Sequence, residues 1–292
     1  MNFTIVSQCY MPNSNGIKVL HKICDTLNRF GHDARMIYLN PREANSQNFI
    51  DPSTIKGAPD LNAPILKQED ASFIDTSIVV YPEVVIANPL SAKKVVRYFG
   101  NKESYCNGRT VMAGAKDFIV AHSRVIHPKP DYVLFSAEVN PCFNGVGARY
   151  FEERTMDATY IGKGYIYGNV GVIPNTLYIA REWPTTQDQL AILMRQVRFL
   201  YTWDAWTSTN IEAVLCGAVP VILHYDPWKP EEIDGSELGL PRAEIVDGEV
   251  RLDTEKFLKE RLELIKKISM LTASWDDRVR EFVVKVDEHF KI

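Results

Sequence analysis

LYTWDAWTSTNIEAVLCGAVPVIL, residues 200–223, contains three consecutive elements that organise the second half of the chain. An aromatic run ends in Asp204, and small polar residues then precede a short helix that carries Glu212. Gly217 is expected to end this helix, because glycine readily adopts the left-handed conformation of a helix C-terminus. Residues 219–223 are apolar and mostly β-branched, which predicts a buried strand directly after the helix.

The polar residues in front of the helix predict a binding site for an anion. Thr207, Ser208 and Thr209 are good capping residues, and the N–H groups of a helix N-terminus point outward at its partly positive end. Such an end can bind a phosphate. Glu212 lies within the first turns, where its carboxylate can accept hydrogen bonds from two hydroxyls of a ribose. The alternative is an ordinary capped helix in front of a core strand.

The residues before this stretch continue the alternation of strands and helices. Residues 158–161 predict a strand followed by Gly162-Lys163-Gly164, and residues 176–180 predict a strand followed by Arg181. A helix is predicted at 186–200 from the spacing of its apolar residues. The lysine and the arginine each lie just beyond a strand, where a cation can contact a phosphate. An exposed turn lysine and a local salt bridge of the arginine are the structural alternatives.

The first half of the chain opens with the same kind of unit. Residues 3–7 predict a buried strand, a polar loop runs to Gly16, a helix covers 17–30 and a strand covers 34–39. This strand–loop–helix–strand order is typical of the start of a doubly wound α/β domain. The loop lacks the GxGxxG pattern, which disfavours a nicotinamide dinucleotide site.

Further strands are predicted at 77–81, 118–122 and 131–135, and a helix is predicted at 88–100. Glu83 follows the first of these strands, at the carboxyl end where parallel sheets usually bind their ligands. An acid at the start of a helix, favoured by the helix dipole, is the structural alternative for this residue.

The domain organisation follows from a composition change around residues 140–150, a segment rich in Gly, Pro and Asn that is expected to link two domains. We predict a first domain at 1–145 and a second at 146–270. The tail is mostly helical, and its last helix, at 271–292, is expected to pack back on the first domain.

The composition is that of an ordinary globular protein, with 292 residues, 46% hydrophobic and 24% charged. There is no apolar run long enough for a membrane span, and the N-terminus does not have the pattern of a signal peptide. The five cysteines are odd in number and scattered, without the spacing of a zinc site, so reduced thiols in the cytoplasm are expected. No metal site is predicted.

The charge of the chain is uneven. Between Asn88 and Pro130 there are eight Lys or Arg residues but only two acids, whereas the whole chain has a net charge of −4. A basic stripe of this kind can attract an anionic lipid surface or a nucleic acid. A solvated charged face without a partner is the alternative.

The motifs together resemble those of nucleotide-sugar glycosyltransferases of the GT-B fold. The shared features are two α/β halves and, in the second, the pattern acid–cap–EA-x-x-CG-x-x-PV at 204–221. IGKG at 161–164 resembles the first strand and loop of the family's donor domain, and residues 16–37 resemble its opening helix and second strand. Residues 179–222 resemble the donor domain of a bacterial surface-polysaccharide group. Its retaining members have two acids eight positions apart, as Asp204 and Glu212 are here, although the family usually has Glu at the first position.

The resemblance implies a fold, a chemistry and a set of site residues. The fold would be two Rossmann-like domains that face each other across a cleft. The chemistry would be retaining, metal-independent transfer of a sugar from a nucleotide-diphosphate sugar, without a further cofactor. The donor would be bound by Asn15, Gly16, Lys163, Arg181, Thr207, Ser208, Thr209 and Glu212. Glu83 and Asp204 would be the catalytic-site acids that position sugar or acceptor hydroxyls.

The acceptor is expected to be a glycan or a lipid-linked glycan. The basic segment leaves two other interpretations open, which are the same chemistry on modified DNA and peripheral contact with the inner face of a membrane. A non-catalytic, two-lobed nucleotide- or ligand-binding protein is an alternative of another class, and a sugar-nucleotide epimerase of related architecture is a further one. Release of free nucleotide from a nucleotide sugar would separate the transferase from the binding protein.

Overall fold

The computed structural model describes residues 1–38, 57–67, 70, 72–137, 139–168, 170–180 and 182–292. They form two compact units, Met1–Ser136 with Ala273–Ile292, and Ala137–Thr272. The division falls after Ser136 rather than at residue 145, because Phe143 lies in the hydrophobic core of the second unit. No helix in the described part of the chain is both long and apolar enough to cross a membrane.

The described residues alternate between strands and helices through most of their length. The strands are, in chain order, β1 Asn2–Ser7, β2 Asp33–Tyr38, β3 Ile78–Pro82, β4 Lys94–Phe99, β5 Phe118–Ala121, β6 Tyr132–Val133, β7 Met156–Tyr160, β8 Leu177–Ile179, β9 Val197–Thr202, β10 Val219–Ile222, β11 Glu244–Val246 and β12 Glu249–Arg251. The helices are α1 Asn15–Arg29, α2 Phe73–Thr76, α3 Gln187–Met194, α4 Ser208–Leu215, α5 Pro230–Asp234, α6 Thr254–Ala273 and α7 Trp275–Phe290. Every strand predicted from the sequence is confirmed to within about two residues at each end.

The first unit is built on a six-stranded parallel sheet in the order β2-β1-β3-β4-β5-β6. The chain runs from β1 to β2 on one side and then returns to add β3 on the other side of β1. This reversal is the topological switch point of the sheet, the position at which doubly wound folds bind their ligands. The first strand is buried, as Phe3, Ile5 and Val6 show, which confirms its predicted place in the core.

The last helix completes the core of the first unit. Along α7, side chains at helical spacing are buried against residues of the sheet, and they are Trp275, Val279, Phe282 and Val286. The Trp275 Nε1–H donates to the Thr26 hydroxyl at 2.9 Å, and Arg29 pairs with Asp276 at 2.9 Å. The helix therefore belongs to the same hydrophobic core as α1, although Arg29 and Asp276 lie 247 positions apart in sequence.

The second unit is built on a four-stranded parallel sheet in the order β10-β9-β7-β8. Its first strand, β7, lies between β8 and β9, so its switch point lies between β7 and β9. The helix α4 follows β9 and ends at Leu215, two residues before Gly217, which has the left-handed conformation expected from the sequence, with φ +84°. Ala218 N–H returns to the Ala213 carbonyl at 2.9 Å, and β10 begins at once.

The helix predicted at 88–100 is wrong. Residues 94–99 form β4, a strand between β3 and β5 whose residues from Val95 onward are all buried. A parallel strand that is covered on both faces has a continuous apolar run, and a short run of this kind cannot be distinguished from a buried helix by periodicity.

The helix predicted at 186–200 is too long. The helix α3 ends at Met194, and β9 begins only three residues later, at Val197. The apolar residues of both elements merge into one apparently helical pattern, and no Gly or Pro marks the junction. Residues 203–204 therefore follow the end of a strand and lie at the edge of the sheet.

Candidate functional site

Three segments that are distant in sequence meet at one edge of the second sheet. Residues 161–164 follow β7, residues 203–204 follow β9, and His224 follows β10. Because all these strands are parallel, their carboxyl ends lie at the same edge, and the first two segments lie on either side of the switch point. The N-terminus of α4 also lies here, since the helix follows β9 directly. This edge is therefore the candidate site of the second unit.

The two glycines of the predicted Gly162-Lys163-Gly164 motif allow two loops to cross. A Cβ on Gly162, which has φ +53°, would lie 2.7 Å from Asp204 Oδ2. A Cβ on Gly164 would lie 2.4 Å from the Trp203 Cβ and 2.9 Å from its carbonyl oxygen. No side chain fits at these distances, so both positions require glycine for packing.

Asp204 holds the loop after β7. Its Oδ2 accepts a hydrogen bond from the Lys163 backbone N–H at 3.0 Å and pairs with the Lys163 ammonium at 3.0 Å. The side chain is only 1% exposed, and Oδ1 has no hydrogen-bond partner. The carboxylate therefore acts on the protein itself in this conformation, and its predicted contact with sugar hydroxyls stays a prediction.

Lys163 lies at the predicted site with its ammonium already engaged. Besides Asp204, the Nζ–H donates to the Trp206 carbonyl at 3.0 Å, and the side chain is 26% exposed. A phosphate arriving at this edge would meet a cation whose position is fixed by two acceptors. The edge therefore has a cation at a fixed position, and the negative charge of Asp204 partly balances it.

The N-terminus of α4 is capped as the sequence predicts. Thr207 is the N-cap, and its hydroxyl accepts a hydrogen bond from the Thr209 N–H. Burial, followed by the nearby Asp204 charge, raises the pKa of Tyr160 beside this cap. The first turn contains no acid, so the partly positive end is not neutralised from within the helix, and Ser208 is half-buried beside the cap.

Asn210 joins this helix to the loop that precedes it. The side chain is completely buried, and its amide N–H donates to the Asp204 carbonyl at 3.0 Å. The helix N-terminus, the segment that contains Asp204 and the loop that contains Lys163 are thus connected by hydrogen bonds, which gives the edge a fixed geometry.

Glu212 is 7% exposed on the body of α4. The pKa of the Cys142 thiol is raised, first by burial and then by the charges of Asp188 and Glu212. The Glu212 carboxylate therefore lies near enough to Cys142 to affect its thiol. Its role as a ribose ligand stays a prediction. Arg181, the remaining predicted donor contact of this unit, lies outside the described residues.

Asn15 and Gly16 begin α1 directly after the loop that follows β1, at the carboxyl edge of the first sheet. Asn15 is half-buried and Gly16 is exposed. A Cβ on Gly16 would meet no atom within 4 Å, so there is room beside the backbone at this position. Both residues lie where the sequence places them, and their contact with a donor stays a prediction.

Glu83 follows β3 at the same edge, but its carboxylate is engaged within the unit. Oε2 accepts from the Gly100 N–H at 3.0 Å, and Oε1 accepts from the Asn101 side-chain amide at 3.0 Å. The residue is 8% exposed. Glu83 thus holds the chain that leaves β4, and its predicted contact with sugar or acceptor hydroxyls stays a prediction.

The basic residues between Asn88 and Pro130 do not form one stripe. Arg97 is 1% exposed and pairs with Asp117 at 2.7 Å in the interior. Lys93 and Lys116 precede β4 and β5, whereas Arg124 follows β5. Since parallel strands begin at one edge of a sheet and end at the other, Lys93 and Lys116 lie at the edge opposite to Arg124. The predicted contact of the basic segment with a lipid surface or a nucleic acid stays a prediction.

A group of aromatic residues at the site was missed by the sequence analysis. The rings of Trp206 and Trp228 stack with centroids 4.6 Å apart and an angle of 20°, and those of Tyr167 and His224 lie 4.1 Å apart. The Tyr167 hydroxyl also donates to the Asp226 carbonyl. In the sequence, the signal for this aromatic group was the pair of tryptophans that flanks Asp204, Trp203 and Trp206. In the described part of the chain, no group of three or more His, Cys, Asp and Glu side chains is arranged to hold a metal ion.

Comparisons with known proteins give likenesses in structure only. No protein-family model matches the sequence, and no curated protein matches it. Among solved structures, sucrose-phosphate synthase from Thermosynechococcus elongatus matches 100% of this chain and 98% of its own, with 10% identity and a TM-score of 0.48. An alpha-glucosyltransferase in complex with UDP and a 13-mer DNA matches 98% of this chain and 95% of its own, with 13% identity and a TM-score of 0.43.

A third similar structure is the glycosyltransferase VinC in complex with DTDP, which matches 99% of both chains with 10% identity and a TM-score of 0.41. At these identities the matches describe what the chain is similar to. The α/β class and the two Rossmann-like units are confirmed by the strand order of the chain itself.

Proposed function

We propose that this protein is a glycosyltransferase that binds a nucleotide-diphosphate sugar at the carboxyl edge of the second unit and transfers the sugar to an acceptor hydroxyl. The observation that carries the proposal is the position of the α4 N-terminus. It lies at the topological switch point, has no acid in its first turn, and has Lys163 beside it, held by Asp204.

The diphosphate would bind at this helix end. The outward N–H groups around Thr207, Ser208 and Thr209 supply donors for phosphate oxygens, and the helix dipole adds partial positive charge. Lys163 adds a cation at a fixed position, with its charge partly balanced by Asp204. Glu212 lies further along the same helix, beyond its first turn, and would bind the ribose hydroxyls there. The nucleoside would therefore lie along α4 with its diphosphate at the helix N-terminus.

The same groups support the chemistry. As the bond between the anomeric carbon and the phosphate oxygen breaks, negative charge grows on the diphosphate, and fixed donors and a cation stabilise it. In the retaining, metal-independent route that we propose, the acceptor oxygen bonds to the anomeric carbon on the face that the diphosphate leaves. The acceptor proton passes to the departing phosphate oxygen, so the step needs no separate protein base. Asp204 would act by positioning Lys163.

For the acceptor we propose a glycan, free or lipid-linked. The division of the basic residues between opposite edges of the first sheet favours neither a DNA track nor a flat membrane contact, because both require charges of one sign on one surface. All five cysteines are free, which supports a reducing cytoplasmic compartment. Transfer to modified DNA remains an outcome that an acceptor assay with DNA and with glycans would reveal.

Calorimetry tests the donor site directly. UDP-glucose, GDP-mannose and dTDP-glucose are titrated into the wild type, and the one that binds is titrated into Glu212→Gln and Glu212→Ala. Loss of hydrogen bonds to a charged carboxylate is expected to weaken binding by about tenfold or more. Glu255→Ala, which removes an exposed acid in the first turn of α6, is the matched control.

Two results are expected if the proposed donor site is correct. At least one nucleotide sugar must bind the wild type, and its affinity must fall in the Glu212 variants while their melting temperatures show that they are folded. Unchanged affinity in folded Glu212 variants would place the nucleoside elsewhere. Release of free nucleotide only in the presence of an acceptor then separates a transferase from a binding protein.

A further inference from the structure

We infer that Trp206 is a stacking platform for the sugar ring of the donor and therefore determines which sugar is accepted. The inference rests on the proposed function, because it assigns the part of the ligand that lies beyond the diphosphate. It concerns a residue to which neither the sequence motifs nor the resemblance gives a role.

Trp206 is held from two directions. One face of its ring packs on Trp228, with centroids 4.6 Å apart and an angle of 20°, and Trp228 is only 3% exposed. Its backbone carbonyl accepts a hydrogen bond from the Lys163 ammonium at 3.0 Å. Trp206 itself is half-buried, so part of a rigid aromatic side chain remains accessible at the edge of the sheet.

Trp228, on which Trp206 stacks, is itself held in place by its neighbours. The Trp228 backbone N–H donates to the Tyr225 carbonyl at 2.7 Å. The next residue, Lys229, is the N-cap of α5, and its backbone N–H donates to the Glu232 side chain. Trp228 thus lies at the junction of a turn and a helix start, and its ring is part of the interior. A ligand that packs on Trp206 would meet a surface that loses little conformational entropy on binding.

The place of Trp206 along the helix decides which part of the ligand it meets. Thr207 is the cap at which the diphosphate would bind, and Glu212 lies on the body of α4, where the ribose would bind. The two ends of a diphosphate point in different directions, so the sugar lies on the side opposite the ribose. Trp206 immediately precedes the cap, whereas Glu212 follows it, so the two residues lie on opposite sides of Thr207 along the chain.

The chemistry of the ring predicts the class of sugar. A pyranose whose hydroxyls are equatorial has a flat face of C–H bonds, and such a face packs on the electron-rich face of an indole. A sugar with axial hydroxyls on that face would bury polar groups without partners. We therefore expect a preference for gluco-configured hexoses over sugars with an axial hydroxyl on the stacking face.

The test compares a nucleotide sugar with its free nucleoside diphosphate. Trp206→Leu keeps an apolar side chain on Trp228 but removes the aromatic ring, and Trp206→Phe keeps a smaller ring. For the donor that binds the wild type among UDP-glucose, GDP-mannose and dTDP-glucose, Trp206→Leu should weaken binding by about tenfold. It should leave the affinity for the matching free diphosphate unchanged, and Trp206→Phe should restore part of the loss.

Tyr150→Ala is the control, since it removes an exposed aromatic side chain from the segment that precedes β7. Near-ultraviolet circular dichroism checks that each variant keeps its tertiary packing. Equal affinity of folded Trp206→Leu and the wild type for the nucleotide sugar overturns the inference, and so does an equal loss for the nucleotide sugar and the free diphosphate. If the wild type binds none of the three diphosphates or their sugars, the proposed function itself fails, which is a different result.

Discussion

The two units use the same strand order around their first strands but brace their edges differently. In each unit an acid follows the third strand, Glu83 after β3 and Asp204 after β9, and both carboxylates are buried. Asp204 reaches across the switch point to Lys163, on the loop after the first strand of its unit. Glu83 reaches the opposite way, to Gly100 and the chain that leaves the fourth strand.

The glycines show the consequence of this difference. In the second unit, Gly162 and Gly164 lie so close to the segment at 203–204 that a Cβ at either would overlap it. In the first unit, Gly16 has room for a Cβ with no atom within 4 Å. One topology thus gives a crossing of loops in one unit and free space beside the backbone in the other. The braced edge is the one suited to hold a charged group rigidly before the ligand arrives.

The largest expected effect comes from replacing one glycine in each unit by alanine, which adds a single methyl group. Gly164→Ala should lower the free energy of unfolding by about 3 kcal/mol, because its Cβ would overlap both the side chain and the backbone of Trp203. Gly16→Ala should be neutral or stabilising by about 0.5 kcal/mol, because it removes a glycine from the first turn of α1 without a steric conflict.

Urea denaturation followed by tryptophan fluorescence measures both variants. Four of the five tryptophans lie in the second unit, so the signal reports mainly on the unit that Gly164→Ala should destabilise. Circular dichroism follows the secondary structure of both units together, so unfolding of the first unit is detected as the part of its transition that the fluorescence does not show. A Gly164→Ala protein as stable as the wild type would show that the loops do not cross closely in solution.

The second prediction concerns the two acids that hold these segments, Asp204 and Glu83. Asp204→Ala should cost about 2 kcal/mol, because it leaves the partly buried Lys163 ammonium without its ion pair, at less than the full cost of a deeply buried pair. Adding Lys163→Met should recover part of this loss, since the unpaired charge is removed as well. Glu83→Ala should also destabilise, through the unpaired Gly100 N–H, but Lys163→Met should not rescue it.

A double-mutant cycle expresses this difference as a coupling free energy. The Asp204–Lys163 cycle should give about 1 kcal/mol or more, and the Glu83–Lys163 cycle a value close to zero. Equal coupling in both cycles would mean that the effects arise from general loosening of the fold, and that neither acid braces a specific loop.

The elements that the sequence predicts well are those with local signals. The cap at Thr207, the helix with Glu212, its end at Gly217 and the strand after it depend on neighbouring residues only, and the structure has them in place. The strand β4 was misinterpreted because its apolar run is covered on both faces, so no alternation distinguishes it from a buried helix. The strand β9 was misinterpreted because its apolar residues continue those of α3, with no Gly or Pro between the two elements.

The partners of the two acids could not be predicted for a different reason. Asp204 lies eight residues from Glu212, and that spacing suggested a pair acting on one ligand. Its actual partner, Lys163, lies 41 positions away in sequence and is brought near only by the order of β7 and β9 in the sheet. The same holds for Glu83 and Asn101. Residue types at strand ends indicate where a site lies, whereas sheet order decides which of their side chains meet.

The smallest expected effect concerns the helix caps at the two edges. Thr207 accepts a hydrogen bond from the Thr209 N–H with its hydroxyl, whereas Ser14, the N-cap of α1, makes no side-chain capping bond. Thr207→Ala should therefore lower the free energy of unfolding by about 1 kcal/mol or slightly less, since the 3.4 Å contact is long. Ser14→Ala should change it by only about a few tenths. A loss at Ser14 as large as that at Thr207 would show that α1 is capped in solution as α4 is, and the contrast between a preformed helix end in the second unit and an uncapped one in the first would then no longer hold.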